Sequence, residues 1–150
     1  MSEVHIDREA LIAIVAHARR DHPNECCGLL VGRTGEGPAK AGPYVLEAVP
    51  ASNAASDPAR RYEIPPVDYF AQIHRCRRIN EARAGTFAVV GAYHSHPRSG
   101  PEPSDTDTAQ AFRDFVFVIA GATAASGGME VRAYALEDET LRQVELIVVD

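Results

Sequence analysis

The sequence predicts an α/β fold, a mixed β-sheet flanked by helices in a single domain spanning residues 1–150. Three observations predict it. Short apolar runs of strand length alternate with two longer segments of helical period. No linker or internal repeat interrupts the 150 residues. Apolar residues make up 45% and charged residues 24%, a globular balance with enough chain for a substantial core.

Residues 6–20 read as a helix, with Asp7 as N-cap, Glu9 in the first turn, an apolar stripe of Leu11, Ile12 and Val15, and Arg19 and Arg20 at the C-terminal end. Residues 27–33 read as a buried strand, 34–43 as a glycine- and proline-rich turn, and 44–49 as a second strand. Residues 50–61 form an irregular surface segment, and 62–64 a short strand. A second helix starts at Pro66, carries Tyr69, Ile73, Cys76 and Ile79 on one face, and ends near Gly85. A strand over 86–94, a loop and a short helix over 104–112 follow, then strands over 115–119, 129–136 and 141–148.

Composition narrows the function. The net charge of −6 disfavours nucleic acid, whose non-specific binding needs a basic patch. Three cysteines, Cys26, Cys27 and Cys76, make no disulfide framework and fit a reducing compartment. No basic and apolar leader opens the chain, and the longest nearly apolar run, residues 115–125, is too short to span a bilayer. A soluble cytoplasmic protein without membrane association is expected.

The chemistry concentrates in His94-Ser95-His96-Pro97, followed by Pro103, Ser104 and Asp107. Residues two apart on a strand project from one face, so His94 and His96 converge while Ser95 points away. The loop from Pro97 to Pro103 has room to return and deliver Asp107. Three ligands of these types leave one tetrahedral position open, the arrangement of a catalytic zinc. Asp107 has a competing role: Ser104 can cap the helix with Asp107 at its third position, a carboxylate capping box, and the two roles are compatible. Asp105 replaces Asp107 as ligand only with a loop two residues shorter. Glu25, after Pro23 and Asn24, reads by itself as a solvated turn residue. Cys26 and Cys27 read as small hydrophobes entering a buried strand rather than as thiol nucleophiles. His5, His17, His22 and His74 have no ligand partners at useful spacing and read as surface or helix-face residues.

These motifs, together with Pro23-Asn24-Glu25-Cys26-Cys27-Gly28-Leu29-Leu30-Val31-Gly32, resemble the JAMM (MPN+) zinc metalloprotease family in its compact prokaryotic form. Asn53 and residues 62–65 resemble the stretch between its motifs. The resemblance implies the MPN/JAB fold, related to cytidine deaminases. It implies one zinc per chain, held by His94, His96 and Asp107 with one water, Glu25 as general acid/base, and Ser104 as donor to the developing oxyanion. It further implies hydrolysis of an amide at the Gly-Gly C-terminus of a ubiquitin-like or sulfur-carrier protein, releasing cysteine or a peptide. A homodimer is compatible with such a chain. Two other readings are a non-catalytic MPN scaffold, whose members lack the zinc ligands, and a zinc amidohydrolase or deaminase of a small molecule. The deaminase signature needs a Pro-Cys-x-x-Cys pair, which this sequence lacks.

Overall fold

Seven strands and three helices follow one another in the computed structural model, which describes residues 1–34, 41–83, 85–123 and 127–150. Strand β1 (Glu3–Asp7) leads directly into helix α1 (Arg8–Asp21). After β2 (Cys27–Arg33) and β3 (Ala41–Ala51) come α2 (Pro66–Ala82), β4 (Phe87–His96) and α3 (Asp105–Gln110). Strands β5 (Val116–Ala122), β6 (Met129–Glu137) and β7 (Thr140–Val149) complete the chain.

The strand order is β1-β3-β2-β4-β5-β6-β7, and β7 pairs back with β1, so the ladder closes on itself. The sheet is mixed, as expected: β1–β3, β1–β7 and β4–β5 are parallel, and the other pairs antiparallel. The central strands β2 and β5 are buried along nearly their whole length. Such continuous burial goes with apolar runs rather than alternation, because both faces are covered.

Each face has its own core. Leu30, Tyr93 and Val118 point to the side where Ile14 and Ala18 of α1 pack. Their neighbours Leu29, Ala92 and Phe117 point to the other side, with Tyr69 of α2. Period-two alternation thus divides every central strand between two helical layers.

Several expectations need correction. The segment before α1 is a strand, not the first turn of the helix. Asp7 stands at the N-cap position, but its side chain makes no cap bond and instead accepts a hydrogen bond from the Tyr44 hydroxyl. The buried stripe of α1 is Ala10, Ile14, His17 and Ala18, while Ile12 is exposed. The buried face is centred on Ile14, and Ile12, two residues away and so about 200° around the helix, turns outward. Residues 62–64 form no strand. Residues 35–40 of the expected turn over 34–43, and residues 124–126 after β5, lie outside the described residues. Among the described residues, no helix is long and apolar enough to cross a membrane.

Candidate metal centre and its acid–base partner

Strand β4 ends with the two histidines, both buried. Across the ladder, His94 sits opposite Cys27 of β2 and Ile119 of β5, and His96 opposite Gly121. Both rings leave the same face. Ser95 faces away, its Oγ accepting from the Cys26 N–H at 2.8 Å, while the Ser95 N–H donates to the Cys26 carbonyl at 3.2 Å.

Asp107 arrives on the first turn of α3. The Ser104 hydroxyl accepts from the Asp107 N–H at 3.0 Å, and Asp107 Oδ2 accepts from the Ser104 N–H at 2.9 Å. This is the complete capping box. The same Oδ2 lies 3.2 Å from His94 Nε2 and 3.1 Å from His96 Nε2, and the two nitrogens are 3.1 Å apart. The oxygen that completes the cap is thus also the one that faces the two imidazoles.

Tautomers show what this triangle needs. His96 Nδ1–H donates to the Gly100 carbonyl at 2.8 Å, which leaves the Nε2 lone pair facing the Asp107 carboxylate. Two lone pairs at that separation repel unless a cation lies among them, either a proton or a metal ion. Burial disfavours a charged His96, but the bonds to Asp107 and Gly100 outweigh it and raise its pKa. Burial outweighs Asp107 at His94, lowering its pKa, so that ring is neutral and ready to ligate. Although its own burial opposes this, Asp107 is held well below the usual carboxylate range by the two histidines. Ligand atoms on a zinc tetrahedron with bonds of about 2.0 Å lie about 3.3 Å apart. The observed triangle fits that face, and among the described residues this trio is the group that can hold a metal ion.

The supports are specific. The Tyr62 ring stacks on His94 at 4.2 Å between centroids and 19° between planes. The loop carrying Gly100 is tied down by Ala122 N–H to Ser99 carbonyl (2.8 Å) and Tyr134 O–H to Pro101 carbonyl (2.7 Å). Gly121 lies so close beneath this loop that a Cβ would meet Gly100 C and Pro101 N at 2.3 Å. Gly121→Ala is expected to push the loop and its His96 acceptor outward, weakening metal affinity by about 10–100-fold, as loss of an outer-shell bond does. Competition with a chromophoric chelator measures it; an unchanged affinity shows that the loop does not orient His96.

Glu25 sits just before β2, only 7% exposed. Its N–H donates to the Pro58 carbonyl at 2.7 Å, and its own carbonyl accepts from Asn53 Nδ2 at 3.0 Å. Asn53 also donates to the Arg61 carbonyl and accepts from the Ala55 and Glu63 N–H groups, so one amide organises the loop around Glu25. Burial pushes the Glu25 carboxyl up to about 7; His96 opposes this shift and Asp107 adds to it. A buried carboxyl poised near neutrality beside a ligand trio is suited to moving protons.

Cys26 and Cys27 are free and buried, and burial raises their thiols to about 11 and about 12, which removes them as nucleophiles at neutral pH. Asp105 stays outside the trio. His17, expected on a surface or helix face, is instead buried and bonded to Tyr93 and Asp21. The stacking of Tyr62 and the bonds of His17 escaped the sequence reading. For His17 the signal was its place in the 10, 14, 17, 18 stripe. A cleft of about 690 Å³ opens beside Ser104 and Asp107, walled by Tyr62, Tyr69, Phe115 and Phe117.

Comparison with known proteins identifies the family. Residues 7–136 match the model for prokaryotic homologs of the JAB domain. The chain belongs to the prokaryotic JAB family. Within this JAMM/MPN+ group, it is 35% identical over 123 residues to the desampylase of Haloferax volcanii, covering 79% of this chain and 80% of that protein. It is 30% identical over 138 residues to the CysO-cysteine peptidase of Mycobacterium tuberculosis, covering 92% and 86%. A solution structure from Desulfitobacterium hafniense has a TM-score of 0.79 at 22% identity, covering 98% of this chain and 93% of that one. The crystal structure of a JAB1/MPN domain protein from Archaeoglobus fulgidus has a TM-score of 0.60 at 20% identity, covering 97% and 99%. These two likenesses concern the fold alone. The JAB chain is a hydrolytic metalloenzyme of the JAMM type.

Proposed function

We propose that this chain is a single-domain zinc metallopeptidase or isopeptidase. It hydrolyses the amide bond at the Gly-Gly C-terminus of a ubiquitin-like or sulfur-carrier protein, releasing cysteine or a peptide. The observation that carries the reading is the convergence of His94 Nε2, His96 Nε2 and Asp107 Oδ2 beside the buried Glu25. The printed activities of the two relatives, desampylase and CysO-cysteine peptidase, support the substrate class.

His94, His96 and Asp107 would hold one zinc ion with one water. Bound there, zinc supplies Lewis acidity toward the substrate carbonyl and lowers the pKa of a water toward about 7. Glu25, as carboxylate, takes a proton from the attacking water and returns it to the leaving amine nitrogen. The Ser104 hydroxyl accepts from the Asp107 N–H, which leaves its own hydrogen to donate to the carbonyl oxygen as charge develops. A side-chain-free Gly-Gly segment is the tail best able to approach the ligands closely.

The test is cleavage of a ubiquitin-like carrier bearing a Gly-Gly-Cys end or a lysine-linked peptide. Release that chelator abolishes and zinc restores is the expected result. Cleavage of small-molecule amides with conjugates left intact overturns the assignment.

A further inference from the structure

A polar chain that the chemistry above does not use runs through the layer between α1 and β4. Tyr93 Oη lies 2.7 Å from His17 Nδ1, and His17 Nε2 lies 3.0 Å from Asp21 Oδ2. Tyr93 is 1% exposed and His17 5%, set among Ile14, Ala18, Cys26 and Leu30. The hydrogen placement follows from the inventory. A carboxylate only accepts, so His17 Nε2 carries the hydrogen, Nδ1 keeps its lone pair, and the Tyr93 hydroxyl donates to it. Burial holds His17 neutral against the pull of Asp21. Every polar atom between the two ends is thereby used once.

The two ends of this chain matter. Asp21 is the last residue of α1, and its carbonyl accepts from the Asn24 N–H at 2.8 Å to start the arm that carries Glu25. Tyr93 is the residue immediately before His94. Its ring lies over Gly28 of β2, where a Cβ would meet Tyr93 Cε1 at 2.3 Å, so a glycine makes room for the hydroxyl to reach α1. On its sheet side the arm is fixed by the Cys26–Ser95 pair, and on its loop side by Pro58 and Asn53. The third side is α1, whose polar bond to β4 is the Tyr93–His17 contact. An apolar layer would hold helix to sheet without desolvating the His17 ring and the Tyr93 hydroxyl; the hydrogen bonds add a fixed distance and direction.

We propose that Asp21, His17 and Tyr93 form a positioning relay, buried at His17 and Tyr93 and half-buried at Asp21, that keeps the Glu25 arm in register with the strand bearing His94 and His96. None of the three belongs to the His94, His96 and Asp107 trio. The inference rests on the proton-carrying role proposed for Glu25, and deepens it by naming what sets the distance between that carboxyl and the ligands.

Tyr93→Phe removes one hydroxyl and keeps the ring over Gly28. With the zinc-loaded variant and a Gly-Gly-Cys carrier conjugate, kcat is expected to fall about tenfold while KM and zinc affinity hold, since orientation and not binding is lost. Asp21→Asn keeps an acceptor for His17 Nε2–H and is expected to recover most of the turnover that Asp21→Ala loses. Amide hydrogen exchange on the metal-free proteins supplies a readout that needs no substrate. In Tyr93→Phe, the Glu25 and Cys26 amides are expected to exchange about tenfold faster while those of β5 and β6 are unchanged. Uniformly faster exchange throughout the sheet, or an unchanged arm and kcat, overturns the relay. If the wild-type protein cleaves no conjugate, the functional proposal fails, and the exchange result still decides whether the arm is tethered through Tyr93.

Discussion

Asp107→Ala is expected to lower metal affinity by at least about 100-fold, because it removes one of the three proposed ligands and the one carboxylate among them. The loss has a second component. Asp107 Oδ2 also accepts from the Ser104 N–H, and losing a capping interaction costs about 1 kcal/mol of helix stability. Two companions separate the effects. Ser104→Ala removes the hydroxyl cap and is expected to retain zinc; Asp105→Ala, outside the trio, is expected to retain it too. Zinc per chain after dialysis against a mild chelator measures all three. Retention in Asp107→Ala with loss in Asp105→Ala would show that the ligand register is wrong.

Glu25→Gln is expected to keep zinc and lose about 10²–10⁴ in turnover, the span associated with a general acid–base group. Without metal the same substitution has the opposite sign in stability. The carboxyl is raised from 4.5 to about 7 by burial, so the fold prefers its protonated form. That contribution is fully present below pH 4.5 and is lost as pH rises through about 7. In chelator near pH 8, Glu25→Gln should therefore be more stable than wild type by about 2 kcal/mol, with the gap closing in acid. A bound cation favours the carboxylate and shrinks the gap. Thermal unfolding across pH, with and without zinc, reads both effects. Equal stability at every pH would mean that Glu25 is not buried as a carboxyl in the metal-free protein.

How far the sequence carried the structure differs by element. Strand β2 matched its expected bounds because its apolar run is bracketed by Cys27 and Arg33, and β4 was legible up to its histidines for the same reason. The His94, His96 and Asp107 trio was readable because its spacing is local: two residues along a strand and one short loop. Strand β1 was not legible. Its five residues carry only Val4 and Ile6 as apolar signal, and its pairing with β3 and β7 is long-range. Glu25 shows a different gap. Considered alone it is a turn residue, and the residues that hold its backbone, Asn53 and Pro58, lie far along the chain. The family resemblance singled it out; local pattern did not. His17 carries no local mark of its role, because its partner Tyr93 lies 76 residues away.

The double duty of Asp107 bears on how such a chain can diverge. One oxygen serves the first turn of α3 and faces the two imidazoles, so a glutamate there, one methylene longer, has to find both positions again from the same backbone. Substitution at this position therefore touches the helix start and the proposed ligand set together. A descendant that abandons hydrolysis by drifting at this residue also loosens the entry to α3, and a later return requires restoring ligand and helix start in the same step. Catalytic loss through this position should behave as a ratchet, whereas drift at the cleft walls stays reversible and leaves room for new substrates.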